Sequence, residues 1–222
     1  MRWLLLLAVT GGAVVLLAPV DASGGPRDRS CAARGPGAEA QNRQVRLYVK
    51  RVQGQWRLIA CVRRTGVRRD LGSWGIQEFS DAAGIQDVWL RGRHVALQDG
   101  FTCDRYPGEC YGRVRVVNVR TGRQKSGVSF QNVGANVGVL PQLGALLLKR
   151  NGSAAFAIAR VGPQDDAGSP MDGPPSSEVW KLDGDGTARV DRSDGVDVAS
   201  LAHNATTLYW LRDGTPQAVA FR

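Results

Sequence analysis

The chain has 222 residues, with 29 Lys and Arg against 20 Asp and Glu for a net charge of +9, and 43% of its side chains are apolar. That is enough for one sizeable core behind an N-terminal leader. Beyond the leader no apolar run is long enough to cross a bilayer, and two histidines with no paired C-x-x-C spacing exclude zinc as the purpose of the four cysteines.

Residues 1–22 read as an export signal. Arg2 gives a thin positive start, residues 3–17 are apolar apart from Thr10 and Gly11-Gly12, Ala18-Pro19 breaks the run, and Val20-Asp21-Ala22 offers small residues before a cleavage point. The stretch is short for a full crossing, which wants about 20 apolar residues, so cleavage is favoured over an uncleaved anchor. No cysteine follows closely enough for a lipoprotein. The expected location is secreted, extracellular or cell-surface, with anchoring by the uncleaved leader as the alternative.

Residues 23–42 hold Gly24-Gly25-Pro26, Gly35-Pro36-Gly37 and few apolar groups, and read as a flexible arm or linker. Four cysteines in an exported chain predict two disulfides. Cys103 and Cys110 bracket Asp104-Arg105-Tyr106-Pro107-Gly108-Glu109, a segment made for turning, so a bridge there would staple a loop. Cys31 with Cys61 would pin the arm to the first strands.

Residues 43–222 read as strands throughout. The first unit has strands at 44–52, 55–62 and 67–71, turned by Gln53-Gly54 and Thr65-Gly66. The second has 85–90, 94–98, 112–120 and 123–130, with the stapled loop 99–111 inside it. In the third, 144–149 and 154–161 flank Asn151-Gly152, a strong hairpin signal. An exposed loop at 162–177 follows, and 177–182 and 187–191 flank Asp183-Gly184-Asp185-Gly186. The last unit has 198–202, 206–211 and 217–221, turning near Asn204 and at Asp213-Gly214. The first and last units each lack a strand, and no stretch has a sustained 3.6-residue period. About four antiparallel four-stranded meanders in succession predict an all-β, propeller-like array. A β-sandwich or another barrel is the alternative.

The segments Ala60-Cys61-Val62-Arg63-Arg64-Thr65-Gly66, Gly92-Arg93-His94-Val95-Ala96-Leu97, Val116-Val117-Asn118-Val119-Arg120-Thr121-Gly122-Arg123 and Thr207-Leu208-Tyr209-Trp210-Leu211-Arg212-Asp213-Gly214-Thr215-Pro216 carry a resemblance. They resemble secreted β-propeller-like proteins of high-GC bacteria, of the WD40/TolB-like repeat kind. The likeness covers residues 45–222, and its motifs are turns and strands. It implies fold and export, and it brings no catalytic residue with it.

The charge is uneven. Of the 29 cations 25 are arginine; residues 23–125 carry 20 cations and 9 anions, net +11, while residues 126–222 carry 8 and 10, net −2. One reading is a basic face for anionic polymers: wall polymers, lipid headgroups or nucleic acid. The other is the arginine bias of a GC-rich genome, with solvated arginines discouraging edge-to-edge strand pairing. The arginines come singly and in pairs without interleaved aromatics, so nucleic acid is not expected.

Chemistry is sparse. His94 and His203 both fall near the turn between the first two strands of their units, which suggests a structural slot. No G-x-S-x-G elbow or H-E-x-x-H pair accompanies them. The cluster Asp183, Asp185, Asp191, Asp194 and Asp197 departs from the calcium-loop pattern, with Thr187 and Ala188 where an oxygen ligand and glycine are needed, and reads as a hairpin turn. Asn151-Gly152-Ser153 and Asn204-Ala205-Thr206 match the glycosylation sequon and read as turn residues. Trp56, Trp89, Trp180 and Trp210 lie in predicted strands and are expected in the core. Trp74, in a connection, is the ring available for a ligand, with Arg105 and Tyr106 of the stapled loop as further candidate contacts.

No cofactor or metal is expected. The reading is a secreted, non-enzymatic binding or scaffold module of the bacterial envelope. Its partner would be an anionic envelope polymer or a protein, with self-association as a further possibility. A polysaccharide-directed hydrolase or lyase with carboxylates at one end of the sheets is the alternative.

Overall fold

The computed structural model describes Cys31 and residues 39–75, 84–103, 110–132, 142–161 and 176–222. These residues form fifteen strands in four antiparallel sheets, and no α-helix occurs among them. Sheet I holds β1 (Ala40–Gln41), β2 (Val45–Val52), β3 (Gln55–Val62) and β4 (Arg68–Ser73). Sheet II holds β5 (Ile85–Arg91), β6 (His94–Cys103), β7 (Cys110–Asn118) and β8 (Gln124–Asn132). Sheet III holds β9 (Gln142–Leu148), β10 (Ala154–Val161), β11 (Ser176–Asp183) and β12 (Gly186–Ser193). Sheet IV has three strands, β13 (Val196–His203), β14 (Thr207–Arg212) and β15 (Thr215–Ala220). Each sheet is a meander whose strands pair in chain order. Four sheets, rather than two, replace the sandwich alternative.

Local turn chemistry sets the hairpins. Gln53-Gly54 and Asp213-Gly214 have φ of 50° and 83°, and of 51° and 70°, the paired left-handed conformations of a type I′ turn. The structure also adds what the pattern did not give. Ala40–Gln41, within the stretch read as a linker, pairs with Leu47 and Arg46 and supplies sheet I with a fourth strand. β6 and β7 run further than expected, so that Cys103 and Cys110 oppose one another in the ladder. The bond expected between their side chains lies outside the described residues, as do residues 1–22 and most of the loop at 162–177.

The sheets stack face to face in chain order, and three apolar clusters fill the gaps. Val45, Leu47, Leu58, Ala60 and Leu71 of sheet I meet Ile85, Val95, Leu97 and Val117 of sheet II. Ala96, Val114 and Val116 of sheet II meet Leu146, Phe156, Ile158 and Leu182 of sheet III. Ala155, Ala157 and Val179 of sheet III meet Leu201, Leu208 and Trp210 of sheet IV and Phe221 just beyond β15. No cluster joins sheet IV to sheet I, so the described stack is open at its ends. The first strands of successive sheets touch, β1 on β5, β5 on β9 and β9 on β13. Gly144 makes the last approach close: a Cβ there would lie 2.4 Å from Val198.

A strand covered on both faces loses its alternation. Ala154-Ala155-Phe156-Ala157-Ile158 of β10 is buried without a break, with Ala154, Phe156 and Ile158 toward sheet II and Ala155 and Ala157 toward sheet IV. Leu58 to Val62 of β3 is buried as well, although sheet I ends the stack. The cover on its outer face comes from Cys31, which is disulfide-bonded to Cys61 and packs with Tyr48 and Ile59. Sheet IV has no such cover and exposes Tyr209, Ala202, Ala218 and Ala220. Trp210, Trp89 and Trp180 pack in the clusters. Trp56 departs from its expected core place: it is 50% exposed, because it opposes Arg51 beside the β2–β3 turn, beyond the apolar cluster.

Candidate functional site

The turns joining β1 to β2, β5 to β6 and β9 to β10 gather at one end of the stack and are tied to one another. Asn42 closes the first turn, its Oδ1 accepting the N–H groups of Gln44 and Val45 at 2.8 and 2.9 Å. Its Nδ2 donates to Gly92 O at 2.9 Å, fixing the sheet I tip to the sheet II tip. His94 Nδ1 donates to Arg150 O at 2.9 Å and fixes sheet II to sheet III, helped by Lys125 Nζ donating to Asn151 O at 2.8 Å.

The His94 tautomer follows from its partners. Asn118 Oδ1 accepts from the N–H groups of Arg120 and Thr121, which leaves Asn118 Nδ2 to donate to His94 Nε2 at 3.2 Å. Nε2 is then an acceptor and Nδ1 carries the proton. Beneath the ring lies Gly152, with φ of 87°, where a Cβ would come within 2.5 Å of the imidazole. Glycine is required there on both counts.

Among these tips opens a cleft of about 740 Å³ whose charged lining is Arg43, Arg91, Arg93 and Arg150. No Asp or Glu lines it, and none of the four arginines forms an ion pair among the described residues. His94, Asn42, Gln44 and Asn118 add polar groups. Such a site attracts oxyanions: arginine forks bind them bidentately, and none of the described lining residues is a carboxylate.

Burial lowers the His94 pKa below the usual imidazole value; the bond to Arg150 O opposes this, and the charges of Lys125 and Arg93 lower it further. The unfolded chain therefore takes up the proton first as pH falls through about 6.5. Stability from this group is complete above that pH and is lost below it. The melting temperature is expected to hold between pH 8 and 7 and to fall between pH 6.5 and 5, and the His94→Gln variant should flatten that fall. An unchanged slope in the variant would remove His94 as its source.

The residues picked out by sequence lie elsewhere. Trp74 follows β4 at the opposite end of the strands, half-buried against the cluster between sheets I and II, with its backbone N–H donating to Trp56 O at 2.8 Å. Arg105 and Tyr106 lie outside the described residues. His203 ends β13, bonds the Asn204 carbonyl at 2.8 Å and sets its ring edge-on to Phe221, so it differs from His94 in position and partners. The sequons are turns, with Asn151 Oδ1 accepting Ser153 N–H and Asn204 Oδ1 accepting the N–H groups of Thr206 and Thr207.

The acidic residues hold the stack together. Burial raises the Asp183 pKa, but hydrogen bonds from Arg222 N–H, the Lys181 ammonium and Asp185 N–H outweigh this and hold it below the usual carboxylate value. Asp191 accepts from Trp210 Nε1 at 2.6 Å and Arg212 Nη1 at 3.2 Å, joining sheet III to sheet IV. Buried Glu178 accepts from Trp180 Nε1 at 2.7 Å and Arg189 Nη1 at 3.0 Å.

The cleft arginines escaped the sequence reading because they come singly or in pairs. Their signal was positional: in three units an arginine adjoins the Asn or Gly of the first turn. Neither a protein-family model, nor a curated protein, nor a solved structure matches this chain.

Proposed function

We propose that this protein is a secreted, non-enzymatic binding module of the cell envelope, and that the cleft between the tips of sheets I, II and III takes the charged groups of an anionic envelope component. The observation that carries the reading is the set of four arginines around one opening without a carboxylate among its described lining residues. The described lining holds no pair of carboxylates of the kind used in glycoside cleavage, and this favours binding over the hydrolase or lyase alternative at that place. The Cys31–Cys61 bond supports an oxidising compartment and, with the leader, export. The open stack of meanders with touching first strands supports a propeller-type scaffold, in keeping with the resemblance to secreted propeller-like proteins of high-GC bacteria.

The test is co-sedimentation of the purified mature protein with a bacterial cell-wall fraction at low ionic strength. Wild type is expected in the pellet. The Arg91→Glu/Arg93→Glu variant should stay in the supernatant at an unchanged melting temperature. Arg51→Glu, at the far end of β2, should behave as wild type. Failure of wild type to pellet, or pelleting of the double variant, would refute the reading.

A further inference from the structure

The cleft belongs to a row rather than to a pit. Arg43 adjoins Asn42 at the sheet I tip, Arg91 and Arg93 flank Gly92 at the sheet II tip, and Arg150 precedes Asn151 at the sheet III tip. Stacked sheets lie about 10 Å apart, so two steps carry this row across roughly 20 Å. One small oxyanion meets one or two of these guanidinium groups; an extended chain of anions meets all four.

The row is built in advance. Asn42 ties the first tip to the second, and His94 ties the second to the third, each through a bond to a backbone carbonyl. The turn backbones are held by Asn side chains accepting N–H groups. A ligand therefore orders only the arginine side chains, which limits the entropic cost of binding.

We infer that the ligand is a linear, non-nucleotide polyanion that lies across the three hairpin tips in the direction of sheet stacking. This rests on the cleft being the binding site, as proposed above. Nucleic acid is disfavoured because no Phe, Tyr or Trp is among the described residues that line the cleft to receive a base. A membrane surface is disfavoured because the exposed large apolar side chains among the described residues lie elsewhere. Val52 and Trp56 are at the other end of β2 and β3, and Tyr209 is on the outer face of sheet IV. Phosphate and carboxylate polymers share the oxyanion chemistry that an arginine fork reads.

The experiment titrates the mature protein with long-chain inorganic polyphosphate, polyglutamate, inorganic phosphate and a single-stranded oligonucleotide of matched charge, across a salt series. At least one of the first two should bind with a log–log salt slope of about −3, the value for four contacts on a flexible polyanion. Which of them binds more tightly identifies the charged group. Arg43→Ala and Arg150→Ala, at the two ends of the row, should each reduce the slope by about 0.7. Arg51→Ala, which removes the same charge elsewhere, should leave it unchanged.

Three results overturn the inference. They are inorganic phosphate matching the polymers per charge, the oligonucleotide binding more tightly than both, and a slope that ignores Arg43 and Arg150. If neither polymer binds while the wall fraction still pellets the protein through Arg91 and Arg93, the track fails and the binding module stands. If nothing binds, both fail.

Discussion

The Cys31→Ala/Cys61→Ala variant is expected to lose about 3 to 4 kcal/mol of unfolding free energy. The bridge closes a loop of sequence separation 30, and the chain-entropy relation for a loop of that length gives this magnitude. The native state loses something as well. Ile59 and Tyr48 are each 9% exposed on a face that no neighbouring sheet covers, and Cys31 is part of their cover. Without the bridge the arm can detach and wet that face. Urea unfolding of the double variant measures the effect without touching Cys103 or Cys110, which a reductant would also attack. A shift of the midpoint equivalent to less than about 1 kcal/mol would mean that the arm contributes little and that sheet I is stable uncovered.

Phe156→Ala is expected to cost about 3 to 5 kcal/mol, the range for emptying a fully buried phenyl site. Phe156 is 0% exposed and lies at the junction of sheets II and III, its ring stacked with Trp180 at 6.5 Å and 10° between planes. The surrounding β10 residues are buried on both faces and pinned by ladders to β9 and β11, so the site has little freedom to collapse. At roughly 2 to 4 °C per kcal/mol for a domain of this size, the melting temperature should drop by about 10 °C. Among the described residues each apolar cluster between sheets joins only neighbours, so the loss falls on the junction of sheets II and III. Trp56→Ala, at an exposed ring of similar size, should shift stability by no more than about 0.5 kcal/mol. Equal costs for the two substitutions would contradict the stacking of sheet II on sheet III.

Most hairpins were legible because turn chemistry is local. Gln53-Gly54, Asn151-Gly152 and Asp213-Gly214 mark turns through residues that tolerate positive φ, and the structure has positive φ at Gly54, Gly152 and Gly214. Ala40–Gln41 was not legible, since two residues carry no period and join a strand only because Leu47 and Arg46 offer them a partner. Trp56 was misplaced for a related reason. Its strand pattern matches that of a core ring, and only the reach of the neighbouring sheet decides which end of a strand is covered.

Sequence by itself determined the class of fold and the order of most strands, because hairpins form between neighbours, and the expected bond between Cys31 and Cys61 is present. Tertiary structure decided which faces are buried and which arginines share one cleft. Asn42 and Gly92 are 50 residues apart and His94 and Arg150 are 56 apart, yet hydrogen bonds join both pairs. Arginines that look scattered along the chain become a row only when the sheets stack. Stacking is fixed by the burial of side chains from different units, which no local pattern encodes.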